Sequence, residues 1–308
     1  MKIEMWEDGK EQYILNDEFV LKRADKLEFG IHETIYSGVD LELSYSWKKQ
    51  TIDKIDYEDH FWIYYNKTRI GGVHIKPNLM GAFFMEPPYL VDRFRVINVL
   101  NDALLQWKCE EKIRVYGVLP SDIENYNRLG YKVSCERKVM IRPTETFDSI
   151  NWGDDFFIKV PTINDAEELG KMFVECYTGG VDYEVFGQQN VEEAIENAKY
   201  ILNIYKSNNI LDGSTLVYDK TTNELVGACI AGINGFTDNN FSEIGEIVVK
   251  PSYRGNGIAS NLIKQALNNL NKISPATILC VTVGNSAEAV YHKMGFMQGV
   301  KFANMFLK

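Results

Sequence analysis

The sequence predicts an α/β (α+β) protein of two tandem domains, each a mixed, mostly antiparallel sheet flanked by helices. Three observations carry this. The chain has 308 residues, and a domain takes about 150. Period-two strand patterns alternate with helix-period patterns along its length. A strand–loop–helix block also recurs once at a constant offset.

The elements follow in order. His60–Asn66 and Arg69–Ile75 are rich in β-branched and aromatic residues and predict a hairpin turning at Lys67 and Thr68. Residues 81–86 predict another strand. Phe94, Ile97, Leu100, Leu104 and Trp107 recur at three- and four-residue spacing, which predicts a helix over 92–107. Residues 113–118 predict a buried strand. The polar stretch 142–155, with Pro143 and Gly153, reads as a linker, so the expected domains are 1–145 and 155–308.

The second domain opens with a strand at 156–161. A helix follows, with Asp165 near its start and Leu169, Met172 and Phe173 on one face. Residues 178–190 read as a loop and 191–206 as a helix. Strands are expected at 214–219, 225–233 and 243–249, with a turn at Thr222–Asn223 and a loop at 234–241. The helix 257–271 turns Ile258, Leu262, Ile263, Ala266, Leu267 and Leu270 to one side. A strand at 277–283, a short helix at 285–294 and a strand at 299–307 end the chain.

The repeat aligns residues 113–132 on 278–297 without gaps, at an offset of 165 that pairs Tyr126 with Tyr291. Ile113, Val118, Ser121, Tyr126 and Gly130 meet identical residues, and Tyr131 meets Phe296. A repeat of this length means duplicated domains rather than a solenoid. The same offset sets Arg254–Ala259 against Tyr89–Phe94, so the glycines belong to the second copy alone.

Composition narrows the function. Formal net charge is −10, which disfavours nucleic acid and anionic membranes; it would attract a cationic substrate, but the simpler reading of an acidic surface is solubility. The five cysteines, Cys109, Cys135, Cys176, Cys229 and Cys280, are odd in number and form no C-x-x-C. They suggest a reduced, cytoplasmic setting. No apolar leader or membrane-length run is visible. The four histidines form no ligand pair at helical spacing, so no metal site is expected. The serine-hydrolase elbow and P-loop motifs are absent.

The chemistry concentrates in residues 243–267. A strand runs into Arg254-Gly255-Asn256-Gly257 and then directly into an amphipathic helix. Glycines let backbone approach a ligand closely, and helix N-terminal amides converge on an anion. A pyrophosphate suits this loop, with Arg254 available for charge. The alternative is a turn that merely starts a helix.

Here the sequence resembles the GNAT-type N-acetyltransferase superfamily in tandem form. Arg254, Gly257 and Ala259 match its Q/R-x-x-G-x-G/A signature, preceded by Val249, Pro251 and Tyr253. Residues 281–296 resemble its N-x-A…Y-x-x-x-G-F block. The likeness covers roughly 156–308, and the first half enters only through the repeat, as a copy without the CoA loop. It implies acetyl-CoA as cosubstrate and a small-molecule amine as acceptor. It implies a pyrophosphate on Arg254, Gly255, Asn256, Gly257, Ile258 and Ala259, and pantetheine along Ile247 and Val249. The Val248 amide would face the oxyanion, and Asn285 would reach the pantetheine or the adjoining loop.

Tyr291 takes the family's general-acid position, the alternative being a buried anchor of the last helix. Glu246, and after it Glu243, are the candidate bases. Three apart, they would face opposite sides of a regular strand, but Gly245 between them suggests a bulge. Tyr177, Tyr183 and Phe186 either shape an acceptor pocket or pack a core. A non-catalytic acyl-CoA-binding or regulatory module is the alternative to an enzyme, and oligomeric state is left open.

Overall fold

The computed structural model describes residues 3–37, 58–148, 150–182, 190–206, 213–233 and 241–308. The chain divides into two compact units. Unit 1 is Met1–Arg137 with Val300–Lys308, and unit 2 is Lys138–Gly299. The expected linker therefore begins inside a strand, because β7 (Lys132–Pro143) runs unbroken through residue 142. The C-terminal residues group with unit 1 rather than completing unit 2.

In unit 1 the strands are β1 (Gln12–Ile14), β2 (Phe19–Arg23), β3 (His60–Tyr65), β4 (Thr68–Lys76), β5 (Leu79–Met85) and β6 (Ile113–Val118). They lie in sequence order, and β6 pairs antiparallel with the end of β13 (Met297–Leu307), from Ala303↔Val118 to Leu307↔Ile113. All neighbours from β1 to β5 are antiparallel. β5 and β6 are parallel over Leu79↔Arg114 and Met80↔Val115. The β3–β4 hairpin turns at Asn66 and Lys67, both at positive φ (46° and 70°), one residue before the expected turn. A two-residue turn with both residues left-handed matches the twist of paired strands, and Asn tolerates it well.

The helices of unit 1 are α1 (Lys26–Tyr36), α2 (Arg93–Trp107) and α3 (Ile123–Arg128). Asp25 and Asp92 cap α1 and α2, accepting from the amides of Glu28 (2.9 Å) and Arg95 (3.2 Å). Ile97, Leu100, Leu104 and Trp107 of α2 are buried, as its spacing predicts, and Val96 and Ala103 join them, whereas Phe94 in the first turn is only half-buried. The buried residues join Tyr13, Phe61, Val115 and Met305 in one core.

In unit 2, β8 (Phe156–Lys159), β9 (Thr215–Asp219), β10 (Leu225–Gly232), β11 (Phe241–Val249) and β12 (Ala276–Thr282) form the order β12-β11-β10-β9-β8. The pairs β8–β9, β9–β10 and β10–β11 are antiparallel, and β11–β12 is parallel. Its helices are α4 (Ala166–Tyr177), α5 (Val191–Lys206), α6 (Ile258–Leu270) and α7 (Ala287–Lys293). A short turn before α4 carries a capping box in which Thr162 and Asp165 satisfy each other's backbone amides. The sheet is covered on two sides. Ile244, Leu262, Ile263, Leu267 and Phe296 pack with α6 in one core. Val248, Leu169, Phe173, Leu202 and Tyr205 pack with α4 and α5 in the other.

The repeat is structural. α2 starts at Arg93 and α6 at Ile258, the same offset of 165. The parallel pairs β5–β6 and β11–β12 keep the same sequence separation between partners. Gly130 and Gly295 both sit at positive φ (88° and 82°). Tyr131 donates its amide to the Tyr126 carbonyl (3.1 Å), and Phe296 does so to Tyr291 (3.0 Å).

Candidate active site

The site grows from a splay in the unit 2 sheet. Among the described residues β11 and β12 pair only over Phe241↔Ala276, Ser242↔Thr277 and Glu243↔Ile278. β11 then runs on to Val249 while holding β10, as far as Val249↔Gly227. Ile247, Val248 and Val249 therefore lie on the part of β11 that has left β12. Val248 is buried toward α4 and α5, and Ile247 and Val249 pack toward α6.

At the end of β11 the chain turns through Pro251–Tyr253 into the glycine loop. Gly255 (φ 85°) and Gly257 (φ 77°) are left-handed, a conformation that costs other residues about 1–2 kcal/mol. A Cβ at either would meet no atom within 4 Å. The glycines are thus demanded by backbone conformation, and they border open space that a phosphate group can fill. Gly257 is the N-cap of α6 and no side chain caps that helix, so its first amides face outward beside Ile258 and Ala259. Asn256 donates to the Tyr253 carbonyl (3.2 Å) and closes the loop. Arg254 braces it, donating to the carbonyls of Val249 (3.1 Å) and Cys176 (3.0 Å). Lys250 is held by Glu175 (3.1 Å) and by Glu224. The donor set and the open cradle fit a pyrophosphate.

The two candidate bases share a face. Ile230 pairs with Glu246 and Ala231 with Ile244, so Gly245 is an extra residue, a bulge. Glu243 hydrogen-bonds Tyr205 of α5, and a Cβ on Gly245 would lie 2.4 Å from the Tyr205 hydroxyl. Glu246 accepts a hydrogen bond from Tyr177 at the end of α4. Both carboxylates therefore look toward α4 and α5, which a regular strand three residues long would forbid. Burial and the neighbouring carboxylate push each tyrosine's pKa well up: Glu246 acts on Tyr177, and Glu243 on Tyr205. Both hydroxyls stay protonated and donate to their glutamates.

Tyr291 is buried on α7, with its ring 6.0 Å from Phe296. Burial first, then Cys229, Glu246 and Asp182, raise its pKa far above the usual tyrosine value. It is a neutral hydroxyl within the electrostatic reach of Glu246. Asp182 escaped the sequence reading. It accepts from Thr282 Oγ1 (2.6 Å) and from Asn285 Nδ2 (2.8 Å), tying β12 and the following turn to the segment after α4. Asn285 Oδ1 accepts the Ala287 amide (2.9 Å). Asn285 is thereby engaged at both ends of its side chain in shaping the turn into α7. Nothing in the local sequence marks Asp182, whose partners lie a hundred residues away. Tyr177 joins the site, whereas Tyr183 and Phe186 lie outside the described residues. His292 is exposed.

The cysteine thiols are all free. Burial pushes Cys229 up to about 12 and Cys176 up to about 11, so neither is a thiolate at neutral pH. Among the described residues no three side chains form a metal cluster, and no helix is long and apolar enough to cross a membrane.

The sequence profile described as the acetyltransferase (GNAT) family matches residues 168–296. No curated protein sequence matches the chain. Among solved structures, a GCN5-related N-acetyltransferase from Sphaerobacter thermophilus is 12% identical with a TM-score of 0.67, covering 96% of each chain. A tandem GNAT protein from the clavulanic acid biosynthesis pathway is 10% identical at a TM-score of 0.54, over 94% of this chain and 98% of that one. The glucosamine N-acetyltransferase region of a fungal multi-domain GH3 β-N-acetylglucosaminidase is 12% identical at 0.64, over 96% of this chain and 39% of that one. At these identities the likeness is one of fold, and two of these structures share nearly the full length of the chain. With the family profile lying on the splayed strands, the glycine loop and α7, residues 168–296 form an acetyltransferase domain of the GNAT family, whose acetyl donor is acetyl-CoA, and the chain as a whole has a fold shared with tandem GNAT proteins.

Proposed function

We propose that unit 2 acetylates a primary amine carried by a small molecule. The observation that carries this reading is the bulge at Gly245, which sets Glu246 and Glu243 on one face of β11, with the buried Tyr291 within electrostatic reach of Glu246. Acetyl-CoA would supply an activated thioester. Its pyrophosphate suits the amides from Arg254 through Gly255, Asn256, Gly257 and Ile258 to Ala259. Its pantetheine suits the open edge of β11 at Ile247 and Val249, an added strand.

The amine arrives as an ammonium and must lose a proton before it can attack. Glu246 is the base in this reading, because its carboxylate lies within electrostatic reach of Tyr291 and is steered by the Tyr177 hydroxyl. Glu243, held by Tyr205, adds negative charge that attracts the ammonium. The Val248 amide would face the developing oxyanion. Tyr291, kept neutral by burial, is the proton donor to the leaving thiolate. Asn285 and Asp182 position the turn that holds α7. The net acidity of the chain favours a cationic acceptor.

The test is acetyl-CoA turnover over a panel of primary amines. Glu246→Gln should lower kcat by roughly 100-fold or more and remove the acid limb of the pH profile. Glu243→Gln should raise KM for the amine with a smaller change in kcat. Tyr291→Phe should lower kcat about 10- to 100-fold with acetyl-CoA affinity kept. Full kcat in Glu246→Gln at every pH would place the base elsewhere.

A further inference from the structure

Unit 1 contains a cleft of about 580 Å³ at the place where the repeat puts the counterpart of the glycine loop. It opens where β5 and β6 splay, over the first turn of α2. Its walls are the end of β5 at Met85, the loop Tyr89–Asp92, the residues after β6 at Leu119 and Ser121, and the C-terminal end of α1 at Tyr36. The offset of 165 sets Tyr89, Leu90 and Asp92 on Arg254, Gly255 and Gly257. Unit 1 thus has a cleft at the position equivalent to the unit 2 glycine loop, lined by different chemistry.

The change is chemical. The α6 N-terminus has no side-chain cap, whereas the α2 N-terminus is filled by Asp92, whose Oδ1 accepts the Arg95 amide at 3.2 Å. A carboxylate now stands where unit 2 leaves room for a phosphate, so an anion is repelled. Arg93, the next residue, gives nothing back, because its guanidinium is held by both oxygens of Asp122 at 2.6 and 2.7 Å. That pair cancels, so among the described residues lining the cleft Asp92 sets the sign. Met85, Leu90, Val91 and Leu119 supply apolar wall. Tyr36 and Tyr89, 37% and 69% exposed, offer ring faces at the mouth. A concave, mostly apolar site with a few polar groups is the usual form of a small-molecule site, and aromatic faces favour cations.

We propose that this cleft is a second binding site, specific for a small organic cation: an ammonium group on an aromatic or short alkyl body, without phosphate. The ammonium pairs with Asp92 and the body lies against the apolar wall under the tyrosine rings. The site is independent of the catalytic roles assigned in unit 2.

The experiment uses the full chain labelled with ¹³C at its methionine methyls, nine in all. Met85→Leu, a volume-conserving change, identifies the Met85 signal, and Met294 beside Tyr291 reports separately on unit 2. The probes are 2-phenylethylamine, its neutral isostere 2-phenylethanol, and adenosine 3′,5′-bisphosphate. The amine should move the Met85 signal saturably, and the alcohol should bind about tenfold more weakly. Asp92→Asn keeps the helix cap, since Asn caps as well as Asp, and should weaken the amine by about tenfold. Ser121→Trp, at the exposed rim, should abolish the shift. A Met85 signal unmoved by the amine overturns the proposal, as does amine binding unchanged in Asp92→Asn. A saturable response to the bisphosphate also overturns it, since the cleft would then have kept its anion site.

Discussion

Replacing Gly245 by Ala tests the bulge on which the paired carboxylates depend. The added Cβ would lie 2.4 Å from the Tyr205 hydroxyl, and 3.1 and 3.2 Å from its Cε2 and Cζ. Tyr205 is 3% exposed and packed in the α4–α5 core, so the ring has little room to withdraw. Overpacking of this kind costs about 1–3 kcal/mol. Moving the ring also strains its hydrogen bond to Glu243, a bond to a charged group worth about 1.5–3 kcal/mol. Ala returns roughly 0.5–1 kcal/mol over Gly in a strand. The net expectation is a loss of about 2–3 kcal/mol.

Tyr205→Phe removes the clashing oxygen, so Gly245→Ala in that background should cost at least about 1 kcal/mol less than in the parent. Hydrogen exchange of peptides spanning β10 and β11 reads unit 2 without mixing in unit 1. The reasoning fails if Gly245→Ala leaves that exchange unchanged. It also fails if the two single effects add to within about 0.5 kcal/mol in the double variant.

Three further outcomes follow from the same geometry. Gly257→Ala should cost only about 1 kcal/mol of stability, from its positive φ, because its Cβ meets nothing; acetyl-CoA affinity measured by calorimetry should nevertheless fall at least about tenfold. Glu288→Gln strips the carboxylate from Lys138, which is 4% exposed at its side chain and among the described residues otherwise holds only Gln298 (3.0 Å), and should destabilise unit 2 by about 3 kcal/mol in urea unfolding, more than Lys138→Met does. Burial raises the Asp165 carboxyl, but Lys159 and Thr162 outweigh it and hold its pKa below the usual range. Its contribution is therefore full above the unfolded value of about 3.9 and lost as pH falls through the native one, so a Tm profile across acid pH should flatten in Asp165→Asn.

The local elements were legible because each advertises itself over a few residues. The helical spacing from Ile97 to Trp107 and from Ile258 to Leu270 names the buried faces correctly, while Phe94, one turn earlier in the same pattern, is only half-buried. Gly245 between two glutamates announced the bulge. Asp92 ahead of an apolar run is a readable cap signal, yet its meaning depends on seeing Gly257 uncapped at the matching place. The β3–β4 turn slipped by one residue because Asn66 and Lys67 both take positive φ, and Lys seldom signals that. Residues 142–143 looked like linker because a polar, proline-bearing stretch can also be the end of a strand.

Sequence alone determined the two-copy plan, the glycine loop and the family resemblance, since repeats, dihedral demands and periodicity are properties of short segments. Only the tertiary structure decided which side chains meet. Asp182 finds Thr282 and Asn285 across a hundred residues, Tyr177 finds Glu246, and Tyr205 finds Glu243. It also decided that Val300–Lys308 leaves the second copy for the first. Such partnerships are set by which helix faces pack on which side of a sheet, and that packing is a long-range balance of burial that no local pattern encodes.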